Sequence, residues 1–587
     1  MTEYQKTKAF LFLLHLCSIG MATGLVVGSA THLLAAPVPI VRNGLGEWIL
    51  DKGGSFPVAS TPIEIRRFHQ LPNLLSAGQV VPYVVQSMSI APDDDRLFTS
   101  HLKNAQIYAI AADGSTSSSY MSAGVPGFKS LVSIAFHPEF YDVGSPGYGK
   151  LYTYVNVTKP TSGGPYNYLG DSSPTFADTA VYEYDATFGI DGKTNGVNAA
   201  SRRELFRVAQ IRGDHTAGRA TFNPFAEPGD EDYGLLYITQ GDNYQFNPQS
   251  QNLQTAQGTV MRINPLQDGA NPYSIPATNP FVGNPNALDE IFTYGHRNNH
   301  TLTFGEYDGD VFAFLGEIGE GSAEEINLLQ PGANYGWADN EGTLDFQTSH
   351  NPAYTYPVAQ FGHDSPNKPT AVAGGYLISN GSELDGRYIF GDFPISGDLF
   401  SVSIDDVKNA VLQDNDPLNI TPAPVSIHEV LFDDDDNPAT PSVVTTLQDI
   451  ITSDPDYLLA GAPSERLDVR FGQGPGGELY ITNKWNGWVY QVVNSIAPTI
   501  DADFDDDGDV DGADLASWQG GFGIASGAAN GDGDANGDGV VDGRDFLLWQ
   551  RNAQTSPAAG AVPEPAGIAL LLLAVAGAAG YATKYRR

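Results

Sequence analysis

Between residues 60 and 495 the apolar positions fall in short runs separated by polar, Gly- and Pro-rich stretches, and the runs come in pairs. The first run of each pair is Leu97-Phe98, Leu151-Tyr152, Leu236-Tyr237, Val311-Phe312, Tyr388-Ile389-Phe390 and Leu479-Tyr480. The partners follow at Ile107-Tyr108, Val181-Tyr182, Val260-Met261, Glu325-Ile326, Leu399-Phe400 and Val489-Tyr490. β-Branched and aromatic residues bounded by turn formers predict strands, and two such runs close together predict a hairpin. The pairs recur about every 76 residues, wider than the ~40–50 residues of a usual propeller blade, so long insertions are expected. No 3.6-residue period stands out, and no helix is expected in this stretch. Repetition of one hairpin favours radial packing. The expectation is an all-β fold, a six-bladed β-propeller over 60–495, with a two-sheet sandwich as the alternative.

The pattern changes after residue 500. Residues 501–545 hold 13 Asp and one Arg, and the acids keep a register. Asp503, Asp505, Asp507, Asp509 and Asp514 fall at positions 1, 3, 5, 7 and 12 of a calcium loop, with Gly508 at position 6 and Val510 at position 8. A second copy has Asp534, Asn536, Asp538, Asp542 and Asp545 at 1, 3, 5, 9 and 12, with Gly539 and Val541 in the same phase. Calcium takes six to eight oxygens from a flexible loop, and this spacing aims them at one centre. Each loop leads into a short amphipathic stretch, Leu515 to Gln519 and Phe546 to Gln550. The pair resembles a dockerin-type module, a small α-helical, paired EF-hand-type calcium unit over 500–553. The alternative is a solvated acidic linker. The resemblance implies a docking partner, which one chain does not identify.

The ends read as addresses. Residues 1–8 carry two lysines, Ala9 to Val27 is largely apolar, and small residues follow at Gly28-Ser29-Ala30 and Leu34-Ala35-Ala36. This predicts a signal peptide over 1–36, with an uncleaved anchor as the alternative. The single cysteine, Cys17, lies inside it, so cleavage leaves no disulfide and stability must come from core size and bound metal. Val562-Pro563-Glu564-Pro565 precedes an apolar run from Ala566 to Thr583 and the basic end Lys584-Tyr585-Arg586-Arg587. A run of this length just spans a bilayer, cations inside. Residues 562–587 resemble a PEP-type C-terminal sorting signal, which implies an exosortase-type enzyme and delivery to the cell surface or extracellular matrix. A plain tail anchor is the alternative.

Composition narrows the function. A hydrophobic fraction of 41% excludes wholesale disorder, and 30 Lys plus Arg against 69 Asp plus Glu gives −39. That charge excludes a nucleic-acid partner, since phosphate binding needs cations to replace counterions. In a propeller, function sits in loops around the central channel. His215, with Asp214 before it and the small residues Thr216-Ala217-Gly218 after it, has the make-up of an oriented general base, although a lone histidine is also a common structural residue. Tyr294 to Asn299 offers Arg297 and Asn298 to a carboxylate or carbonyl, or forms a packed turn. Glu317 to Gly321 with Glu324 and Glu325 offers carboxylates and bent carbonyls to calcium, or a solvated strand end.

These segments, in this order, resemble the soluble quinoprotein glucose/sorbosone dehydrogenase family, which includes aldose sugar dehydrogenases. Ser133 to Phe140, His215 to Arg219, Leu236 to Asp242, Gly258 to Pro265, Gly295 to Asn298, Glu325 to Leu328, Asn334 to Trp337 and Ala373 to Tyr376 carry the resemblance over most of 85–495. It implies a six-bladed propeller holding pyrroloquinoline quinone (PQQ) and Ca2+. By it His215 is the base that takes the proton from the sugar C1 hydroxyl as hydride passes to the quinone, and Asp214 and Asp242 are its acidic neighbours. Arg297 and Asn298 contact the quinone, Arg466 matches a later arginine, and the carbonyls of Gly319 and Glu320 hold calcium. The chain departs from the family at Ile318 and at Glu320, where Pro is common, and the loop 391–398 has no lysine. The reaction implied is oxidation of an aldose to its lactone, with an electron acceptor not identified by sequence. The alternative is a noncatalytic propeller that binds glycans or matrix proteins; a lactone hydrolase is a third reading.

Overall fold

The computed structural model describes residues 40–42, 48–50 and 57–552 apart from 77–78, 82–83, 103–105, 122–126, 159–176, 211–212, 244–247, 346–350, 352, 363–370, 413–421, 434–441, 460–465, 496–501, 506, 508–509, 525–527, 536–540 and 542. The leader 1–36, the sorting segment 562–587, and the loop residues Asp509, Asn536, Asp538 and Asp542 lie outside the described residues. Among the described residues no helix is long and apolar enough to cross a membrane.

Six antiparallel sheets follow one another along the chain, each numbered here as a blade. Blade 1 runs Val85–Ser89, Leu97–His101, Ile107–Ile110, Ser117–Met121, and blade 2 runs Phe128–Phe136, Lys150–Thr158, Ala177–Phe188, Thr194–Ala209. Blade 3 is Ala217–Phe222, Leu236–Gln240, Thr259–Ile263, Ile291–Tyr294, and blade 4 is Thr301–Tyr307, Asp310–Glu317, Ala323–Leu328, Ala359–Gly362. Blade 5 is Val372–Ile378, Arg387–Asp392, Leu399–Ser403, Ser426–His428. Blade 6 takes Arg470–Gln473, Leu479–Thr482 and Trp488–Val492 from the end of the propeller and Ile63–Gln70 from its start. Val430–Asp433 then pairs in parallel with Ile63–Gln70, and Val443–Thr445 forms the outer edge. The ring therefore closes through a strand that precedes blade 1, which ties the two ends of the propeller into one sheet.

All six hairpins read from the apolar pattern are the second and third strands of a blade. The innermost strands were invisible to that pattern because they crowd the axis and use small residues. A Cβ on Gly375 would lie 1.7 Å from Ile389 O, and one on Gly218 would lie 2.2 Å from Thr239 Oγ1. Aromatic side chains fill the space between blades: Phe390 is fully buried and stacks near Tyr388, Phe361 and Phe400.

The expectation of no helix is corrected. Ile404–Leu412, Leu447–Thr452 and Pro455–Leu459 are helical. Ile404 and Val407 face the core at i, i+3 while Asp405 and Asp406 sit in the first turn, where acids favour the helix dipole. These helices are too short to impose a visible period. Beyond the propeller, Gly512–Gly521 and Gly543–Asn552 form a helix pair, with Trp518 and Phe546 rings 4.9 Å apart and Phe504, Ala535 and Val541 buried.

His137, at the end of the innermost strand of blade 2, is 2% exposed, and its Nδ1 accepts the Glu139 N–H at 3.1 Å. Burial pushes its pKa down to about 4. The unfolded chain then binds the extra proton first, so stability present above pH ~6.5 falls as the pH drops toward 4. We expect an acid-induced loss of about 2–3 kcal/mol from this group, absent in His137→Gln, as read from urea midpoints across pH 7 to 4.

Candidate active site

His215 lies in the loop entering the innermost strand of blade 3, with φ of 48°. The conformation is held from the next loop: Asn243 N–H donates to His215 O at 3.1 Å, and a Cβ on Gly241 would lie 2.6 Å from that same oxygen. The turn needs glycine at 241 for that reason. His215 Nδ1 meets Asp242 Oδ1 at 2.8 Å, and Trp337 Nε1 donates to Asp242 Oδ2 at 2.8 Å. Asp242 is 1% exposed, and Arg297 O accepts its backbone N–H at 2.7 Å. A carboxylate on Nδ1 favours the tautomer with its proton there, the arrangement of an oriented general base. Asp214 is exposed, and Asn243 Nδ2 donates to its main-chain oxygen at 3.3 Å. Of the two acids, Asp242 is the one seen to meet the His215 ring. Replacing Trp337 by Phe removes the second donor to Asp242 while keeping a ring beside Arg297. We expect about a tenfold lower kcat and a melting temperature lower by a few degrees, since a buried carboxylate loses a donor.

Arg297 stands on the opposite side of this constellation. Its Nη1 donates to Ile318 O at 2.9 Å, its Nη2 pairs with the Glu320 carboxylate, and its Cζ lies 5.5 Å from the Trp337 ring centre. The Arg297 N–H is taken by Glu317, whose other oxygen receives His296 Nδ1 at 2.7 Å. Asn298 O accepts the Ile318 N–H at 3.1 Å, so the Arg297–Asn298 segment and the Glu317–Gly321 turn are bound edge to edge. Glycine is required at 319, where a Cβ would fall 1.9 Å from Ala323 O.

The acids of this turn are not solvated. Glu317, Glu324, Glu325 and Glu341 are 3%, 0%, 7% and 1% exposed. Glu341 Oε1 accepts the N–H groups of Glu320, Gly321, Ser322 and Ala323 at 2.8–3.1 Å, which curls the turn around one carboxylate oxygen. Its Oε2 is buried with no hydrogen bond, as are both side-chain polar atoms of Asn340. Burial, and then the charge of Glu317, hold Glu325 well above the usual carboxylate range.

Cations gather across the channel. His300 is held well below the usual histidine value by burial and by the neighbouring charges of Arg470, Lys484, Arg219 and His215. Arg470 lies 4.0 Å and Lys484 5.1 Å from the Phe393 ring centre, in the loop that has no lysine of its own. Arg466 is farther out, half-exposed and paired with Asp468 at 2.7 Å, its Cζ 5.6 Å from the same ring. Arg219 reaches across the axis from blade 3, donating to Met88 O at 3.2 Å and the Tyr376 hydroxyl at 3.0 Å. The Nε atoms of Arg219 and Arg470 are buried without acceptors. Unsatisfied donors on a cationic wall, facing a turn of carbonyls and orphaned carboxylate and amide oxygens, fit an anionic, carboxylate-bearing cofactor together with a calcium ion. Sequence reasoning missed Trp337, His300, Arg470, Lys484 and Glu341 as site residues. Only Trp337 stood in a stretch it had singled out.

In the C-terminal helix pair, Asp503, Asp505 and Asp507 bring carboxylate oxygens within 4.8 Å of one another. Asp514 and Asp545, the two position-12 acids, do the same thing in each copy. Phe504 N–H donates to Asp514 Oδ1 at 2.6 Å, and Ala535 N–H donates to Asp545 Oδ1 at 3.0 Å. Asp534 is buried.

The pattern of the family described as Glucose / Sorbosone dehydrogenase matches residues 85–405, more than half of the chain. The HIPL1 protein of Arabidopsis thaliana is 26% identical over 45% of this chain and 42% of its own length. Quinoprotein glucose dehydrogenase B of Acinetobacter calcoaceticus is 30% identical over 44% of this chain and 50% of its own length. The chain thus spans half or less of these relatives. The apo-form of the soluble aldose sugar dehydrogenase of Escherichia coli aligns with a TM-score of 0.46 at 19% identity, over 73% of this chain and 99% of that one.

Proposed function

Because the chain belongs to the glucose/sorbosone dehydrogenase family, we propose that it is a quinoprotein-type dehydrogenase that oxidises the C1 hydroxyl of an aldose to the lactone. The observation that carries this reading is the His215–Asp242–Trp337 chain at the channel, with both hydrogen bonds at 2.8 Å. PQQ, when bound, supplies the two-electron acceptor. Arg297, Asn298, Arg219 and Arg470 are the residues that would hold its carboxylates and carbonyls, and the Gly319 and Glu320 carbonyls would hold its calcium. The chain's own part is acid–base. His215 Nε2 takes the proton of the C1 hydroxyl, and Asp242 stabilises the imidazolium that forms. The indole of Trp337 keeps the carboxylate in place.

We extend the proposal to the rest of the chain: an exported protein, sorted at its C-terminus, whose paired acidic loops bind calcium and dock a partner. The pairing of Asp514 with the Phe504 N–H and of Asp545 with the Ala535 N–H supports two equivalent loops. Asp505→Ala and Asp534→Ala are each expected to remove one bound calcium from the full chain, as counted by calorimetric titration.

The enzyme reading is tested by adding PQQ and calcium to the purified protein and offering a panel of aldoses with an artificial electron acceptor. Cofactor uptake with dye reduction is expected. Neither uptake nor reduction would leave the noncatalytic, glycan-binding propeller as the surviving account.

A further inference from the structure

In this structure the cation seated on the Glu317–Ala323 turn is a side chain. The Arg297 guanidinium takes the Ile318 carbonyl at 2.9 Å and the Glu320 carboxylate, with only 7% of its side chain exposed. Guanidinium groups and divalent cations seek the same partners, the lone pairs of carbonyl and carboxylate oxygens. They exclude one another from one small turn, because like charges at contact range repel strongly where water is scarce. Glu317, Glu324 and one oxygen of Glu341 are committed elsewhere, while the second Glu341 oxygen is buried with no hydrogen bond. Glu317 holds His296 and the Arg297 N–H, Glu341 holds four turn N–H groups, and Glu324 receives the N–H groups of Gly319 and Val372 at 3.2 and 2.7 Å. Glu320 alone among them pairs with the Arg297 guanidinium, and it is the most open, with 25% of its side chain exposed. An incoming cofactor carboxylate would have to displace it, since both use the same guanidinium edge.

We infer that Glu320 gates cofactor loading. Without a divalent cation its carboxylate occupies Arg297; a cation bound at the turn draws the carboxylate to itself and frees the guanidinium for an anionic cofactor. The gate rests on the quinone reading above, and it assigns to the Glu320 side chain a role separate from that of its carbonyl. Affinity for an anion and affinity for a cation are then linked through one carboxylate.

The test is equilibrium binding of PQQ to the full chain by calorimetry, with melting curves to verify folding. In EGTA, Glu320→Gln is expected to bind PQQ about tenfold more tightly than the wild type, as when one charge-assisted competitor is removed. In saturating calcium that advantage disappears. Equal affinities in EGTA for two folded proteins that both bind PQQ overturn the gate and leave the quinone reading standing. Failure of both proteins to bind PQQ in calcium overturns the quinone reading, and the gate with it. Should Glu320→Gln not fold, the wild type gives a second readout. Calcium without cofactor is expected to change the Trp337 emission, taken as the difference between wild type and Trp337→Phe, and an unchanged difference spectrum overturns the gate.

Discussion

Replacing His215 with Asn is expected to lower kcat by about 10²–10⁴-fold, the range a positioned general base contributes. PQQ affinity and melting temperature should stay near those of the wild type. Asn is the informative substitute because residue 215 has φ of 48°, a left-handed conformation that Asn accepts more readily than Ala. A loss seen in His215→Ala alone would mix the missing base with a shifted loop. The carboxylate gives a second arm. Asp242→Asn keeps the shape but offers His215 Nδ1 a neutral amide, so the tautomer is no longer fixed and the imidazolium is no longer stabilised; a similar fall is expected. A His215→Asn enzyme of near wild-type rate would remove His215 from the chemistry. Steady-state kinetics with a saturating artificial acceptor, on protein loaded with PQQ and calcium, separates these outcomes.

The largest effect on stability is expected at the ring closure. Ile65 is fully buried, paired with Val492 on one side and Phe432 on the other. Ile65→Asp forfeits about 1.5–3 kcal/mol of apolar burial and adds the several kcal/mol needed to place a carboxylate where no cation faces it. The sum exceeds about 5 kcal/mol, enough to open a ring that depends on this strand. Val444→Asp is the control. Val444 belongs to the outermost strand of the same sheet and is 60% exposed, so a change within about 0.5 kcal/mol is expected. Urea unfolding and the rate of proteolytic nicking report both. Equal behaviour of the two variants would mean that the N-terminal strand does not close the ring.

The propeller was legible because most of its second and third strands are buried on both faces and so read as apolar pairs, the exposed Val311 of blade 4 being an exception. Its other strands were not. The innermost carry Gly218 and Gly375 for lack of room around the axis, and the outermost pair only along one edge. The closing strand Ile63–Gln70 has a weak alternation, and nothing local says that it joins a sheet more than 400 residues later. In the site, His215, Asp242 and Arg297 stood out as polar residues in unusual loops. Asp214 looked equivalent to Asp242, since adjacency in sequence does not say which carboxylate turns inward. Glu341 gave no signal: a distant side chain filling a turn's N–H groups is a purely tertiary event. Arg470 and Lys484 lie within ordinary strand and turn sequences, and only the ring geometry brings them to Phe393. The buried Glu317, Glu324 and Glu325 reversed the usual expectation that acids beside a strand face water.

Arg219 ties blade 3 to Met88 of blade 1 and to Tyr376 of blade 5. Arg219 also lines a cavity with Pro92, Pro138, Pro224 and Pro475, and we take it to close the channel between that cavity and His215. In the proposed reaction this makes the site a cul-de-sac. Sugar, lactone and electron acceptor must all use one doorway, and none can leave by the back while another enters. The acceptor can reach the reduced site only after the lactone has gone. Turnover should therefore follow substituted-enzyme (ping-pong) kinetics, with parallel double-reciprocal lines and inhibition by excess sugar that a higher acceptor concentration relieves.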